Sequence, residues 1–451
     1  MRSNHDLRIT LYDPSGSGGI CHYTYQLAEN LARAGCDVTV VTTEGYELSH
    51  LKRNFNIKIL FKKSWMRNFV VWVLLHLRGK NPPDELYQQL TVDQPGPPAS
   101  KLISLLRNLK TLRLRMTFLK AAFSFLLSRP HIVHFQWLVD RNEDYYFIKF
   151  LKLLGFKIVY TAHDLLPQDI QTPNDREDFQ KIYGRVDRII VHSKSDKKEM
   201  IQLFTIEPNK ISVIPHGSYD LFYREKNVSK EVAREALGIP KEKKVILFFG
   251  LIKRYKGLEY LVEAFGEVKG KLSNLLLLIA GKIYDGDAKI CQHYSHLIGQ
   301  LRCRDDVMCV TEYIPFEKVG SYFSASDVVV LPYIKTYTSG VLFSAYAAGR
   351  AVVVTDTGGL SEVVVDGKSG FVVPTRDSQA LAEAVIKTIN SSDQIEEMGR
   401  YAKYLAETTY SWKSVALKTI DVYRSLIFEE RDRSRQESTN ETTLKDTSQL
   451  D

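Results

Sequence analysis

The sequence predicts an α/β protein built from two doubly wound parallel sheets. Short apolar, β-branched runs alternate with helical patterns through the first half of the chain, and a second such series follows a polar stretch. Strands that alternate with helices form βαβ units, which give parallel sheets. The length of 451 residues suits two large domains and a tail. We expect domains at 1–217 and 218–428, and a disordered polar tail at 429–451.

Six strands are predicted in the first domain, with a helix near 20–34. They are LRITLYD (7–13), DVTVVTT (37–43), IVHFQ (132–136), FKIVYTAHD (156–164), VDRIIVHS (186–193) and ISVIPHG (211–217). The second domain has six more, and their near-continuous apolar character is typical of strands that helices cover on both faces. They are VILFFG (245–250), LLLLIAG (275–281), VMCVTEY (307–313), DVVVLPY (327–333), AVVVTD (351–356) and FVVP (371–374).

Composition excludes several classes of protein. The chain is 44% hydrophobic and 25% charged with a mean hydropathy of −0.19, which excludes disordered, collagen-like and polytopic membrane proteins. The five cysteines form no C-x-x-C pair, so we expect neither a disulfide framework nor a zinc site. The N-terminus lacks a signal-peptide pattern, and the apolar run Phe69–Leu77 is shorter than the roughly 18 residues of a spanning helix. We therefore expect a cytoplasmic protein.

The net charge of +8 is concentrated in residues 51–130, which hold 15 Lys and Arg against three acidic residues. Such an excess predicts an anionic partner. In this stretch, apolar residues spaced by three and four predict a basic amphipathic helix. They are Leu102, Leu105, Leu109, Leu112, Met116, Leu119, Phe123 and Leu126.

Two interpretations of this helix stay open: it lies on an anionic membrane surface, or it packs its apolar face against the core. Trp65, Phe69 and Trp72 beside basic residues favour the membrane. Nucleic-acid binding is the least favoured interpretation because the stretch has no recognition motif.

A glycine-rich turn follows the first strand. The segment DPSGSGGI places Gly16, Gly18 and Gly19 before a helix, where backbone N–H groups can bind a phosphate. The pattern is neither G-x-G-x-x-G nor a P-loop, so an ordinary tight turn is the alternative. Thr42 and Thr43 stand where a dinucleotide site would have an acidic residue, which argues against an NAD-type enzyme.

The second domain carries cations where an open α/β sheet binds ligands. Lys253, Arg254 and Lys256 follow its first strand directly. Two further strand-to-helix turns, at 338–340 and 358–359, add backbone N–H donors at the same edge of the sheet. Together these features suit a bound diphosphate.

These segments together resemble the group-1, family 4 type, retaining nucleotide-sugar glycosyltransferases over about residues 7–428. The motifs that carry the resemblance are the GG loop at 18–19, YTAHD, VIPHG, FFGLIKRYKG and SGVLFSAYAAGRAVVVTDTGGLSEVVVDGKSGFVVP. The resemblance implies the GT-B fold, in which two Rossmann-like domains face each other across a cleft. It also implies that the first domain binds the acceptor and the second binds the donor.

The resemblance implies roles for particular residues. His163 would face the donor sugar, while Arg254 and Lys256 would hold the diphosphate, and these three form the implied catalytic set. The implied donor-binding residues are Gly18, Gly19, Lys253, Ser339, Gly340, Val341, Thr336 and Ser344. Because Lys and Arg can neutralise the diphosphate, neither a metal nor a cofactor beyond the nucleotide sugar is expected.

The chain departs from the family pattern at its usual pair of glutamates, where Thr336 and Ser344 stand instead. Glu362 lies nearby in sequence, and Leu251 replaces a usual arginine. His163 also has a purely structural interpretation, and for His216 a structural role is favoured over a catalytic one.

The expected function is that of a metal-independent, retaining hexosyltransferase that moves a sugar from a nucleotide diphosphate donor to an acceptor. The basic helix favours a lipid-linked glycan acceptor in polysaccharide or glycoconjugate biosynthesis, with the protein peripheral on the cytoplasmic face of a membrane. The alternative is a non-catalytic nucleotide- or glycan-binding homologue of the same fold.

Overall fold

The computed structural model describes residues 7–62, 97–167, 174–223, 228–284, 287–302 and 304–428, with the helix backbone alone for 97–107. The predicted tail at 429–451, the run Phe69–Leu77 and the tryptophans Trp65 and Trp72 lie outside the described residues. No described helix is both long and apolar enough to cross a membrane.

The described strands form two sheets. The first contains β1 (Arg8–Tyr12), β2 (Asp37–Thr43), β3 (Asn56–Phe61), β4 (Ile132–Phe135), β5 (Lys157–Thr161), β6 (Arg188–Val191) and β7 (Ile211–Val213). The second contains β8 (Lys244–Phe249), β9 (Leu275–Ala280), β10 (Val307–Val310), β11 (Val328–Leu331), β12 (Ala351–Thr355) and β13 (Gly370–Val373).

Helices connect most of the strands, while β2 and β3 are joined by a loop. Those before β8 are α1 (Gly18–Arg33), α2 (Pro97–Ser128), α3 (Arg141–Leu153), α4 (Asp175–Arg185), α5 (Lys194–Leu203) and α6 (Lys230–Leu237). The later ones are α7 (Leu258–Lys271), α8 (Ala288–Leu301), α9 (Phe316–Ala325), α10 (Gly340–Ala347), α11 (Leu360–Val363), α12 (Ser378–Ile389), α13 (Ser392–Glu407) and α14 (412–428).

The first sheet has the strand order β3-β2-β1-β4-β5-β6-β7. Its strands pair in parallel, for example β1 with β2 and β4. All six strands predicted for this domain are present. The strand β3, a largely exposed edge strand whose single buried residue is Phe61, was not predicted.

The second sheet has the order β10-β9-β8-β11-β12-β13, again with parallel pairing. All six predicted strands are present. Along β8, Val245 and Leu247 belong to one buried cluster, while Ile246 and Phe248 belong to another. Because successive side chains of a strand point to opposite faces, each face of this sheet has its own core, as in a doubly wound domain.

The chain divides into two compact units. The first comprises 1–160 and 181–187, and the second comprises 161–180 and 188–451. The second unit thus contains β6 and β7 as well as the whole second sheet. The domain boundary that the sequence predicts at residue 217 stays a prediction.

A buried carboxylate fixes the start of the second sheet. Asp327, 1% exposed, precedes β11 and accepts hydrogen bonds from the Arg234 guanidinium (2.7 Å) and the Val245 amide (2.6 Å). It also pairs with the Lys230 ammonium. Arg234, itself 5% exposed, donates further bonds to the carbonyls of Ala325 and Lys241. One carboxylate therefore ties α6, β8 and β11 together.

We expect Asp327→Ala to lower the free energy of unfolding by about 3 kcal/mol, because it leaves the buried Arg234 charge without its carboxylate. Urea unfolding followed by circular dichroism measures this loss. The matched control is Asp305→Ala, which removes an exposed carboxylate of the same unit and should change stability by less than about 0.5 kcal/mol. Equal losses of unfolding free energy in the two variants would contradict the assignment of Asp327 as the carboxylate that neutralises Arg234.

Candidate functional site

Lys256 lies at the carboxyl end of β8, in a short 3-10 turn at Arg254–Lys256, and only 7% of it is exposed. Its Nζ is 3.5 Å from the Phe249 carbonyl oxygen and 5.4 Å from the centre of the Tyr333 ring. A Cβ on Gly250 would lie 2.7 Å from this Nζ and 3.6 Å from the Val341 Cγ2. The ammonium is therefore held beside the β8 backbone, close to the first turn of α10.

Two loops that follow neighbouring strands meet at this point. The Ile334 amide donates to the Tyr255 carbonyl at 2.7 Å. At Gly257, with φ +62°, a Cβ would lie 2.2 Å from the Pro332 carbonyl oxygen. Because β8 pairs with β11, the loops that leave their carboxyl ends run side by side, and this brings Lys256 towards α10.

The N-terminus of α10 adds backbone donors to the site. Its N-cap is Ser339, whose hydroxyl is 3.3 Å from the Tyr333 hydroxyl and caps no backbone N–H. Within the described ranges, the N–H groups of Gly340 and Val341 donate to no protein acceptor. Such first-turn N–H groups carry partial positive charge and bind anions readily. Lys256 and this helix end together form a cationic site at the edge of the second sheet.

The three cations that the sequence groups together lie in different environments. The Lys253 ammonium lies over the Tyr284 ring at 4.4 Å and near the Tyr255 ring at 5.7 Å. The Arg254 side chain is exposed, whereas Lys256 is buried. Among these three residues, Lys256 is the cation that the fold itself places at the helix end.

Thr336 and Ser344, which replace the family's glutamates, form hydrogen bonds with backbone carbonyls close to them in the chain. Thr336, 4% exposed, donates its hydroxyl to the Thr338 carbonyl at 3.0 Å. Ser344 donates its hydroxyl to the Gly340 carbonyl at 2.8 Å, inside α10. Their predicted contact with the donor stays a prediction, and it would require these hydroxyl groups to rotate.

Glu362 has a structural role. Its carboxylate accepts hydrogen bonds from the backbone amides of Lys194 (2.9 Å) and Ser195 (2.6 Å), at the start of α5. A carboxylate at a helix N-terminus is favourable. Both carboxylate oxygens of Glu362 thus accept hydrogen bonds from the N-terminus of α5.

His163, predicted to face the donor sugar, lies just after β5 and contacts a second histidine that the sequence analysis did not single out. Its Nδ1 is 3.1 Å from the His192 Nε2, and the His192 Nδ1 is 3.1 Å from the Ile214 carbonyl oxygen. Burial lowers the pKa of His192 to about 4, so its ring is neutral at pH 7.

These contacts assign the tautomers of both rings. A carbonyl only accepts, so the His192 Nδ1 carries the hydrogen and its Nε2 is an acceptor. The His163 Nδ1 must then donate to it, which leaves the Nε2 of a neutral His163 as an acceptor. Such an atom can accept a hydrogen bond from a sugar hydroxyl, whereas the opposite tautomer could not.

His216 packs as a structural residue in this unit, in line with the role that the sequence favoured. Its ring stacks on Phe343 at 4.9 Å, and its Nδ1 is 2.7 Å from the Gly217 carbonyl oxygen. A Cβ on Gly217 would overlap the Trp412 ring, which explains the glycine. Burial lowers the pKa of His216 to about 3.

The glycine loop of the first unit holds a carboxylate at its anion-binding position. The Gly18 amide donates to Glu47 Oε2 at 2.7 Å, and the His22 Nε2 lies 3.1 Å from the same oxygen. The Glu47 amide in turn donates to the Gly16 carbonyl at 2.9 Å. The loop that follows β2 therefore binds the loop that precedes α1. The Gly18 amide, which was predicted to donate to a phosphate, donates to Glu47 instead. Glu47 lies in no recognisable motif and was not predicted from the sequence.

Two Rossmann-like domains that carry such loops at the carboxyl ends of their parallel strands define the GT-B fold class. The chain belongs to the group-1 glycosyltransferases: residues 229–404 match the family described as Glycosyl transferases group 1, and residues 17–218 match Glycosyltransferase Family 4.

Curated relatives include a D-inositol 3-phosphate glycosyltransferase of Corynebacterium urealyticum, 31% identical over 55% of this chain and 58% of that protein. An alpha-maltose-1-phosphate synthase of Mycolicibacterium smegmatis is 28% identical over 61% of this chain and 74% of that protein. The chain thus spans less than two thirds of the length of the first relative.

Solved structures share the fold at low identity. Sucrose-phosphate synthase from Thermosynechococcus elongatus has a TM-score of 0.67 at 18% identity, covering 94% of this chain and 100% of that one. Anabaena HepE in complex with UDP and glucose has a TM-score of 0.68 at 15% identity, covering 93% and 100%.

We expect His192→Phe to remove the fixed tautomer of His163. In spectra of ¹⁵N-histidine-labelled protein, the wild-type His163 should carry its proton on Nδ1, and the variant should lose this preference. A wild-type His163 protonated on Nε2 would contradict the assignment.

The same substitution should reduce the loss of stability in acid. An unfolded histidine titrates near pH 6.5 and folded His192 near pH 4, so the unfolded state binds more protons between these values. Stability that is complete above pH 6.5 therefore declines as the pH falls towards 4. Urea unfolding of the wild type and His192→Phe across this range should show a shallower decline in the variant.

We expect Glu47→Gln to strengthen the binding of inorganic pyrophosphate several-fold, because the carboxylate no longer competes for the positive end of α1. The free energy of unfolding should fall by about 0.5 kcal/mol. Isothermal titration calorimetry measures the first effect, and Glu44→Gln, an exposed acid on the same loop, is the control. Unchanged pyrophosphate binding in Glu47→Gln would mean that the carboxylate is a permanent cap.

Proposed function

We propose that the protein is a retaining glycosyltransferase that moves a sugar from a nucleotide diphosphate donor to an acceptor. The observation that carries this proposal is the buried Lys256 ammonium beside the N-terminus of α10, with the amides of Gly340 and Val341 open to a ligand. Its family membership and the names of its curated relatives support the same activity.

In this proposal the site stabilises the leaving group. The bond between the anomeric carbon and the β-phosphate oxygen breaks, and negative charge grows on the nucleoside diphosphate. Lys256 and the α10 amides are already in place for this charge, so little reorganisation is needed when it develops. Arg254 and Lys253 add positive potential at the same edge of the sheet, and the donor needs no metal.

The new glycosidic bond forms to the acceptor hydroxyl on the face from which the diphosphate leaves. The acceptor's proton passes to an oxygen of the leaving phosphate, so the products are the glycoside and the nucleoside diphosphate. His163, with its Nε2 as an acceptor, binds a hydroxyl of the donor sugar and orients the anomeric carbon.

The proposed acceptor is a lipid-linked glycan of polysaccharide or glycoconjugate assembly, reached from the cytoplasmic face of an anionic membrane. The excess of Lys and Arg in residues 51–130 supports this part of the proposal. A soluble phosphorylated polyol or sugar is the competing acceptor class, because the curated relatives are named for inositol 3-phosphate and maltose 1-phosphate.

The second candidate function is nucleotide or glycan binding without turnover. Thr336 and Ser344 favour it, since both hydroxyl groups bond to nearby carbonyls and neither supplies the carboxylate usual in the family.

The test is donor hydrolysis by purified protein with UDP-, GDP-, dTDP- and ADP-sugars, with and without anionic vesicles. UDP-glucose leads the panel, since a HepE structure of the same fold holds it. We expect Lys256→Ala to lower nucleoside diphosphate release at least about 100-fold, the loss that follows removal of one preorganised group. Lys271→Ala, an exposed lysine at the end of α7, is the matched control and should retain full activity.

Release from one donor that depends on Lys256 supports the transferase. Full activity in Lys256→Ala overturns the diphosphate assignment. Nucleotide binding by calorimetry with no release from any donor favours the non-catalytic alternative.

A further inference from the structure

Helix α2 is anchored to the first unit by one of its faces. Phe118 and Phe125 are buried on that face, as are Ala121 and Ala122. The Phe118 ring stacks on Phe147 of α3 at 4.4 Å with an interplanar angle of 6°. The sequence predicts a stripe of apolar residues along α2, spaced by three and four between Leu102 and Leu126. The interpretation in which this stripe packs against the core is wrong for the described side chains, because other residues make that contact.

The stripe itself points away from the core. Its described members are each between 43% and 63% exposed: Leu109, Leu112, Met116, Leu119, Phe123 and Leu126. On a helical wheel they lie about 140° from the buried face, and they extend over about 25 Å of helix. Contiguous exposed apolar surface of this kind marks an interaction site.

Helix α3, which packs beside α2, adds to the exposed apolar surface. Tyr146, Phe150 and Leu153 are 59%, 38% and 78% exposed. Their spacing of four and three residues places them on one face of α3. In the part of the chain that the structure describes, no other helix exposes as many large apolar side chains as α2.

The charges around the stripe indicate what covers it. No acidic residue occurs between Asp93 and Asp140. Arg113 and Lys120 lie along one edge of the stripe on the helical wheel, where long basic side chains can reach phosphate groups while their stems stay on apolar surface. A second copy of this helix would bring like charges together, whereas an anionic lipid surface complements them.

We propose that the outer face of α2 docks on an anionic lipid bilayer, with the stripe among the acyl chains and Arg113 and Lys120 at the headgroups. This surface would bring the proposed transferase to a lipid-linked acceptor, and only that consequence rests on the proposed function. Docking itself requires no sugar transfer.

The test is flotation of the full chain with vesicles of phosphatidylglycerol and phosphatidylcholine, compared with phosphatidylcholine alone. We expect binding to the anionic vesicles that weakens as salt increases. The triple variant Leu112→Gln, Leu119→Gln, Phe123→Gln should bind at least about tenfold more weakly. Arg113→Gln with Lys120→Gln should also lose about tenfold and show a smaller salt dependence.

The matched control replaces exposed apolar residues of the second unit, Val232→Gln, Tyr404→Gln and Leu417→Gln, and should bind like the wild type. Circular dichroism should show that every variant is folded. Donor hydrolysis without lipid should be unchanged in the stripe variant, which separates failure of docking from failure of the proposed transferase.

Three results would overturn the proposal: no wild-type binding to anionic vesicles, equal binding to neutral vesicles, or full binding by the stripe variant. A wild-type dimer in light scattering that the stripe variant converts to a monomer, with no vesicle binding by either, would assign the face to a second copy instead.

Discussion

The ammonium group of Lys256 lies inside the second unit, and the local structure around it depends on this placement. A buried charge is costly unless neighbouring groups compensate it, and here the Phe249 carbonyl and the face of the Tyr333 ring contribute to that compensation. Gly250 leaves room for the ammonium, and Gly257 lets the turn that carries it approach Pro332. An anion bound at the α10 N-terminus would add to this compensation, which is the physical basis of the proposed diphosphate site.

Most of the fold could be predicted from the sequence because strands that are buried on both faces consist of nearly continuous apolar residues. This holds for β9, LLLLIA, and β12, AVVVT, whose residues are all buried. β3 could not be predicted in this way, since an edge strand with one buried residue has no such run. For α2 the period was predicted correctly but two interpretations stayed open, because a spacing of three and four residues is the same whether the face meets the core or the exterior.

The candidate site could be predicted less completely. The sequence places Lys253, Arg254 and Lys256 at one strand end, but it cannot say which of them is buried, since that depends on the loop after β11. Glu47 and His192 lie in no motif, and their contacts with Gly18 and His163 join segments 29 residues apart in each case. Pairings between distant segments leave no periodic trace in a sequence, so only the folded chain identifies them.

The carboxylate of Asp327 has a consequence for how the second domain is assembled. It accepts bonds from groups on residues 82 to 97 positions earlier in the chain, so α6 and β8 leave the ribosome well before their shared partner. Until β11 is synthesised, Arg234 has no buried carboxylate to neutralise it and must stay hydrated. During synthesis α6 can therefore join the sheet through Asp327 only after that residue has been made, and a chain that ends before residue 327 would keep this segment in contact with water.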